Sequence, residues 1–251
     1  MDIDKTVQFM RKKVDPDFNF IDNTEKEVPF TDLNKKIKDS KLVLISSGGF
    51  HLPKDKPFDT EDSFGDPSYR VIPKDTDLET LEIAHAHYDH KYVNKDLNCA
   101  FPLELLKELE GKGEIGSLAT EHYSFMGYCL KTEKLKENAR KLSDILKNND
   151  VEMALIAPTW PICNQSVGLI ARELESNGIS TVTLNLYLEI AKLVVPPRTV
   201  SVNFPFGAPF GDPNNKELQL KVIRESLKML EETKEKGRIK NFSYDWRAKP
   251  E

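Results

Sequence analysis

Val151–Pro158 (VEMALIAP), Thr159–Ser166 (TWPICNQS), Val167–Asn177 (VGLIARELESN), Gly178 and Thr181–Leu186 (TVTLNL) are the stretch on which the fold turns. The first and last runs are short and apolar, the pattern of strands covered on both faces. Between them apolar residues recur at helical spacing until Gly178 stops the helix. Strand, helix, strand within ~30 residues is the unit of a parallel sheet.

The same rhythm extends outward. Lys41–Ser46 (KLVLIS) is an apolar, β-branched run ended by Gly48-Gly49. Leu81–His85, Ile115–Ala119 and Thr199–Phe204 are further strand candidates. Phe101–Gly111, Glu133–Asn149 and Leu218–Glu232 carry helical spacing, and the second places Leu135, Ala139, Leu142, Ile145 and Leu146 on one stripe. The expected fold class is α/β, a doubly wound, mostly parallel sheet with helices on both faces in a single domain. Residues 1–40 are expected as an N-terminal arm or short helices over the body, 41–235 as the α/β domain and 236–251 as a polar C-terminal tail. Residues 50–80 read as a long loop, the kind that forms a lid or a pocket wall.

A chain of 251 residues, 39% hydrophobic, is long enough for one large domain with a real core. A formal charge of −5 without a long basic run makes a poor nucleic-acid binder, and no nucleic acid is expected as a partner. No stretch nears the ~20 apolar residues of a membrane helix. The opening MDIDKTVQFMRKKVDPDF has no apolar core, so no secretory signal is expected there. Three cysteines make no even disulfide framework, and a reducing cytoplasm is the expected compartment.

In open α/β sheets ligands sit beyond the carboxyl ends of strands, which directs attention to the loops after residues 46, 84, 119, 157 and 204. Cys163 falls in one of them, in the expected first turn of a helix, where backbone N–H groups and the helix dipole lower a thiol pKa. It is a candidate nucleophile, against the plainer reading of a buried structural cysteine. Cys99 and Cys129 lie in similar connections, as possible partners of Cys163 or as small apolar fillers; the second reading is favoured for Cys129. Arg70 and Arg198 are candidates to grip a substrate carboxylate bidentately, with Asn164 and Ser166 beside Cys163 as further substrate-binding candidates.

His85-Ala-His87-Tyr-Asp89-His90 has the letters H-x-H-x-D-H of the metallo-β-lactamase superfamily and so raises an alternative, a metal-dependent hydrolase with zinc-activated water. That chemistry needs further ligands downstream, and His122 is the only later histidine, so no metal site is assigned. The glycine-rich pieces Ser46–Gly49 and Phe206–Gly211 lack dinucleotide or P-loop spacing.

Taken together, Ser46–Leu52 (SSGGFHL), Asp66–Pro73 (DPSYRVIP), His85–Asp89 (HAHYD), Val93–Leu106 (VNKDLNCAFPLELL), His122–Gly127 (HYSFMG), Thr159–Arg172 and Pro196–Gly211 form an ordered set over nearly all of the chain beyond residue 40. The set resembles the substrate-specific selenoprotein B of the glycine, sarcosine and betaine reductases, and its shorter relative in D-proline reductase. In that family the chemical centre is a selenocysteine followed three positions later by a cysteine. The resemblance places Cys163 on that cysteine and Trp160 on the selenocysteine. It implies an oxidoreductase of amino-acid catabolism that cleaves a C–N bond of a small amino-acid or betaine-like substrate by selenolate or thiolate attack. It implies a multi-subunit, oligomeric assembly with a pyruvoyl-containing partner subunit and a thiol donor protein. His85, His87 and His122 are the implied proton donors to the leaving amine.

Trp160 departs from the family pattern, and three readings stand. UGA, which encodes selenocysteine in context, is one base from the tryptophan codon UGG, so the residue reads as a recoded codon or a substitution made for expression. A genuine tryptophan leaves Cys163 to act alone or with another thiol. A third reading is a catalytically degenerate subunit that binds a ligand or partner.

Overall fold

The computed structural model describes residues 3–244. At the centre of the sheet lies β1 (Lys41–Ser46), paired in parallel with β7 (Met153–Ala157) on one side and with β5 (Ser117–Leu118) and β6 (Glu121–Phe125) on the other. Beyond β7 follow β8 (Ser180–Asn185), β9 (Arg198–Val202) and β10 (Arg238–Phe242), all parallel. β3 (Tyr69–Pro73) closes the other edge antiparallel to β6, and β2 (Phe50–His51) with β4 (Glu82–Ile83) forms a separate antiparallel ribbon. The α-helices are α1 (Ile3–Lys13), α2 (Leu103–Gly111), α3 (Thr132–Asn148), α4 (Pro161–Ser176), α5 (Leu188–Val194) and α6 (Lys216–Glu232).

The middle of β1 and all of β7 are apolar because both faces are covered. Leu42 and Leu44 of β1, with Met153, Leu155 and Ala157 of β7, point into the core shared with α2 and α6. Val43, Ile45, Ala154 and Ile156 alternate into the opposite core, against α3 and α4. This is the expected mostly parallel sheet with helices on both faces.

The differences from the sequence reading have local causes. The helix expected from Val167 begins six residues earlier, at Pro161, because a proline is compatible with the first helical turn and the following residues are all buried. The run at Leu81–His85 shrinks to a two-residue strand in the ribbon with β2. β6 escapes a hydropathy search because two of its buried side chains, His122 and Ser124, are polar. The long stretch 50–80 supplies β3, and the segment read as a tail supplies the edge strand β10, a mostly polar run paired with β9. The 1–40 segment carries α1.

His122 is a structural device. β1 leaves the edge of β5 after Leu42 and meets β6 again at Ile45, and in the gap His122 Nδ1 accepts the Leu44 N–H at 3.0 Å. An imidazole thus replaces one rung of the ladder.

Arg198 is another. It opens β9, at the edge opposite the carboxyl ends of the parallel strands, and its side chain is 0% exposed. Its Nη1 pairs with Glu175 Oε1 at 2.6 Å, Nη2 donates to Thr31 O at 2.8 Å, and the guanidinium lies 3.9 Å from the Phe30 ring. Glu175 also accepts from the Thr31 and Thr181 amides and the Thr181 hydroxyl. Burial lifts the Glu175 carboxyl, and Arg198 with these amides opposes that. The guanidinium expected to hold a substrate carboxylate is committed to fastening the N-terminal arm. Replacing Arg198 by Met should cost ~3–5 kcal/mol, because Glu175 would remain as a buried unpaired charge. Urea unfolding of R198M checks this, and an unchanged midpoint contradicts it.

Candidate active site

The order of strands reverses around β1, since the chain fills one side with β5, β6 and β3 before crossing to β7. A crevice opens at such a switch point beyond the carboxyl ends. Cys163 sits there, at the third residue of α4 and 0% exposed. Each neighbouring strand end contributes a contact. Ser47, after β1, hydrogen-bonds the sulfur. The Met126 carbonyl, after β6, lies 3.9 Å from Sγ, and Thr159 Oγ1, after β7, lies 3.8 Å away.

The fourth contact is His85. Its Nε2 lies 3.4 Å from Cys163 Sγ, and its Nδ1 accepts the His87 N–H at 3.2 Å. With Nδ1 an acceptor, the neutral ring carries its proton on Nε2 and points it at sulfur. His90 Nε2 donates to the His85 carbonyl at 2.8 Å, and the Tyr88 hydroxyl to the Gly48 carbonyl at 3.0 Å, which hold the loop in place. Gly127 permits the close packing: at φ +77° a Cβ would stand 2.4 Å from Ser47 Cβ and 2.8 Å from Cys163 Sγ.

The electrostatics differ from the expectation of a lowered thiol pKa. Burial pushes the Cys163 thiol up, although the Ser47 and Thr159 side chains and the Thr159 and Trp160 backbone groups pull it down. Burial also lowers His85 to about 3, with His87 and His90 adding to the effect. Desolvation exceeds the helix-terminus effect, and the pair is at rest a neutral thiol beside a neutral imidazole.

The other candidates fall in several places. Trp160 is the residue preceding α4, half-buried, with its ring 5.2 Å from Phe206. His87 stacks on Tyr128 at 3.8 Å, and burial lowers its pKa. Asn164 braces two loops: Nδ2 donates to the Trp160 carbonyl and Oδ1 accepts from the Leu186 amide. Ser166 Oγ donates to the Gly127 carbonyl at 2.6 Å. Arg70 caps the Lys56 and Pro57 carbonyls, pairs with Asp66 and covers the Phe58 ring, so its donors serve the 50–80 stretch. His122 belongs to the sheet. Cys99, near Gln219, and Cys129, bridged to Gly65, are buried free thiols in the two opposite cores.

The H-x-H-x-D-H letters do not converge. His85 faces Cys163, His87 stacks on Tyr128, Asp89 is exposed and pairs with Lys91, and His90 binds a carbonyl. Among the described residues no group of three His, Cys, Asp or Glu side chains is placed to hold a metal ion. The sequence reading missed Ser47, Thr159, Tyr88 and Gly127, whose only signal was their place just beyond strand ends or inside the histidine loop.

His85 and His122 are both held at about 3 against an ordinary 6.5, mainly by burial. Below pH 6.5 the unfolded chain takes up protons that the folded one refuses, so stability falls as pH falls from 6.5 toward 3. Each histidine contributes up to ~1.4 kcal/mol per pH unit. Urea midpoints should not fall between pH 7.5 and 6.5 but should drop from 6.5 to 5, where Glu175, lifted to about 7, offsets one of the two histidines; a flat profile over that lower range contradicts the assignment.

The profile of one family, glycine/sarcosine/betaine reductase selenoprotein B, matches residues 5–159. The D-proline reductase subunit gamma of Acetoanaerobium sticklandii is 33% identical over 221 residues, covering 88% of this chain and 90% of that protein. The glycine reductase complex component B subunit gamma of Carboxydothermus hydrogenoformans is 29% identical over 211 residues, 81% of this chain and 48% of that one. The sarcosine reductase complex component B subunit beta of Peptoclostridium acidaminophilum is 27% identical over 210 residues, 79% and 48% of the two chains. The chain therefore spans about half the length of the last two relatives. No solved structure matches it. No described helix is long and apolar enough to cross a membrane. The matched stretch carries β1, the histidine loop and Gly127, three of the walls around Cys163, and on this match the chain belongs to the glycine/sarcosine/betaine reductase selenoprotein B family.

Proposed function

We propose that this chain is the substrate-handling subunit of a reductase complex that cleaves the C–N bond of a small amino-acid or betaine-like substrate, using a thiol donor protein as reductant. The observation that carries this reading is the His85–Cys163 pair, buried at the start of α4 one turn from position 160. The names of the relatives, complex components acting on glycine, sarcosine or D-proline, support both the complex and the class of substrate.

In the overall reaction a C–N bond is replaced by C–H and N–H, and two thiols become one disulfide; the two electrons and two protons come from the thiols. Cys163 supplies one sulfur. Its proton must leave before it attacks, and the donors around it stabilise the thiolate once formed: Ser47 by its hydroxyl and His85 by Nε2–H. Neutral His85, with its one ring proton on Nε2, holds the thiolate and is not itself the acid; the proton that Cys163 gives up is the one that reaches the departing amine. The second sulfur comes from outside the chain, because Cys99 and Cys129 are committed to the two cores.

Position 160 suits a second chalcogen. It is the N-cap of α4, and an N-cap side chain reaches toward the third helical residue, here Cys163. A selenol there would supply a nucleophile ionised at neutral pH, which the buried thiol is not. Trp160 itself offers no nucleophile. The pyruvoyl-bearing partner subunit stays part of this proposal, as activator of the amine.

Cys163→Ser should reduce turnover of the assembled complex by at least ~10³-fold with an unchanged melting temperature. Retained turnover would refute the role of Cys163 and favour a binding subunit. The codon for residue 160 in the native gene, with the intact mass of natively expressed protein, decides the second point. UGA with a selenium-containing mass supports a chalcogen at position 160, whereas UGG with a tryptophan mass removes it and leaves Cys163 and the donor protein as the reacting thiols.

A further inference from the structure

We infer that helix α1 completes an anion-binding cavity over position 160, in which the charges of Lys5 and Lys13 hold the carboxylate of the substrate. A cavity of about 580 Å³ lies between α1 and the first turn of α4, within the ~300–1,000 Å³ range of small-molecule sites. On the α1 side it is edged by Lys5, Phe9 and Lys13, which fall at i, i+4 and i+8 and so form one row along the helix. The opposite wall is His87, Tyr128 and Trp160, close to the turn that carries Cys163.

Charge selects the ligand. Among the described residues the two lysines are the only formally charged side chains lining the cavity, and no carboxylate is among its lining. His87 is held toward its neutral form by burial. Neither ammonium is paired with an acid among the described residues. The start of α4, the positive end of a 16-residue helix, forms part of the same wall. Phe9, 60% exposed, stands between the lysines as an apolar surface left open to a ligand. A small zwitterion fits this arrangement: its carboxylate at one α1 lysine, with the other, about 12 Å along the helix, adding its field, and its carbon body against Phe9 and Trp160. The stretch 50–80, the expected pocket wall, does not line the cavity.

The inference takes its ligand from the proposed reductase function but is tested by binding alone. The chain has two tryptophans, so Trp246→Phe leaves Trp160 as the sole indole in the full-length protein. Glycine, sarcosine, glycine betaine and D-proline are titrated against its fluorescence, each beside its carboxamide. At least one acid should give a saturable change, with its amide about tenfold weaker. Lys5→Gln and Lys13→Gln should each weaken the acid several-fold, together at least about tenfold, with the amide unaffected and the Arg variants largely restoring affinity. Equal binding of acid and amide, wild-type affinity in the double Gln variant, or no saturable change with any acid would overturn the inference. Lysine-dependent binding in a chain that turns over nothing in any complex would instead sink the reductase reading and leave this one standing.

Discussion

The parallel pairing of β1 with β7 is the constraint on which the rest depends. Five register pairs, Leu42 with Met153 through Ser46 with Ala157, bring the carboxyl ends of two strands more than a hundred residues apart in sequence side by side. Because both strands are buried on both faces, a slip of one residue would turn each apolar side chain into the wrong core. The register therefore also sets where Ser47 and Thr159 stand, and Thr159 N–H reaches Ser47 Oγ at 3.1 Å. β6 adds Met126 and Gly127 on the other side of β1, and the first turn of α4 drops Cys163 into the space that remains.

That space is dry, and dryness controls the chemistry. A thiol at a helix N-terminus in water would be acidified. Here burial wins, and Cys163 and His85 are both driven to their neutral forms. The donors around the sulfur are nevertheless already oriented, so a thiolate formed when a reactant displaces a proton would find its hydrogen bonds waiting, without reorganisation. Position 160, half-buried at the cap, lines the cavity beside α1, while Cys163 is fully buried. The two positions thus divide contact with the outside and contact with the core between them.

The N-terminal arm links this centre to the far edge of the sheet. Arg198 and Glu175 fasten Thr31, Gln165 of α4 accepts from Ile21, and Asn23 donates to the Leu193 and Val194 carbonyls around α5. These contacts lead the chain back along α4 until α1 lies beside its first turn, with Met10 and Ile162 in one apolar cluster. A buried ion pair far from Cys163 is in this way part of what places Lys5 and Lys13 over the cavity.

The sequence by itself determined the α/β class, the central strands and most helices, because these elements are decided by local periodicity and by burial on both faces. It also singled out Cys163, His85 and His87, whose residue types carry chemistry at recognisable spacing. Tertiary structure decided the rest. The polar strands β6 and β10 exist because a neighbouring strand offers them hydrogen bonds, which no local pattern encodes. Arg198 and Arg70 look like substrate-gripping cations in a string of letters, and only their placement against Glu175 or against backbone carbonyls makes them structural. The protonation of Cys163 turned on desolvation, a property of everything packed around the sulfur, to which residues from four separate loops contribute.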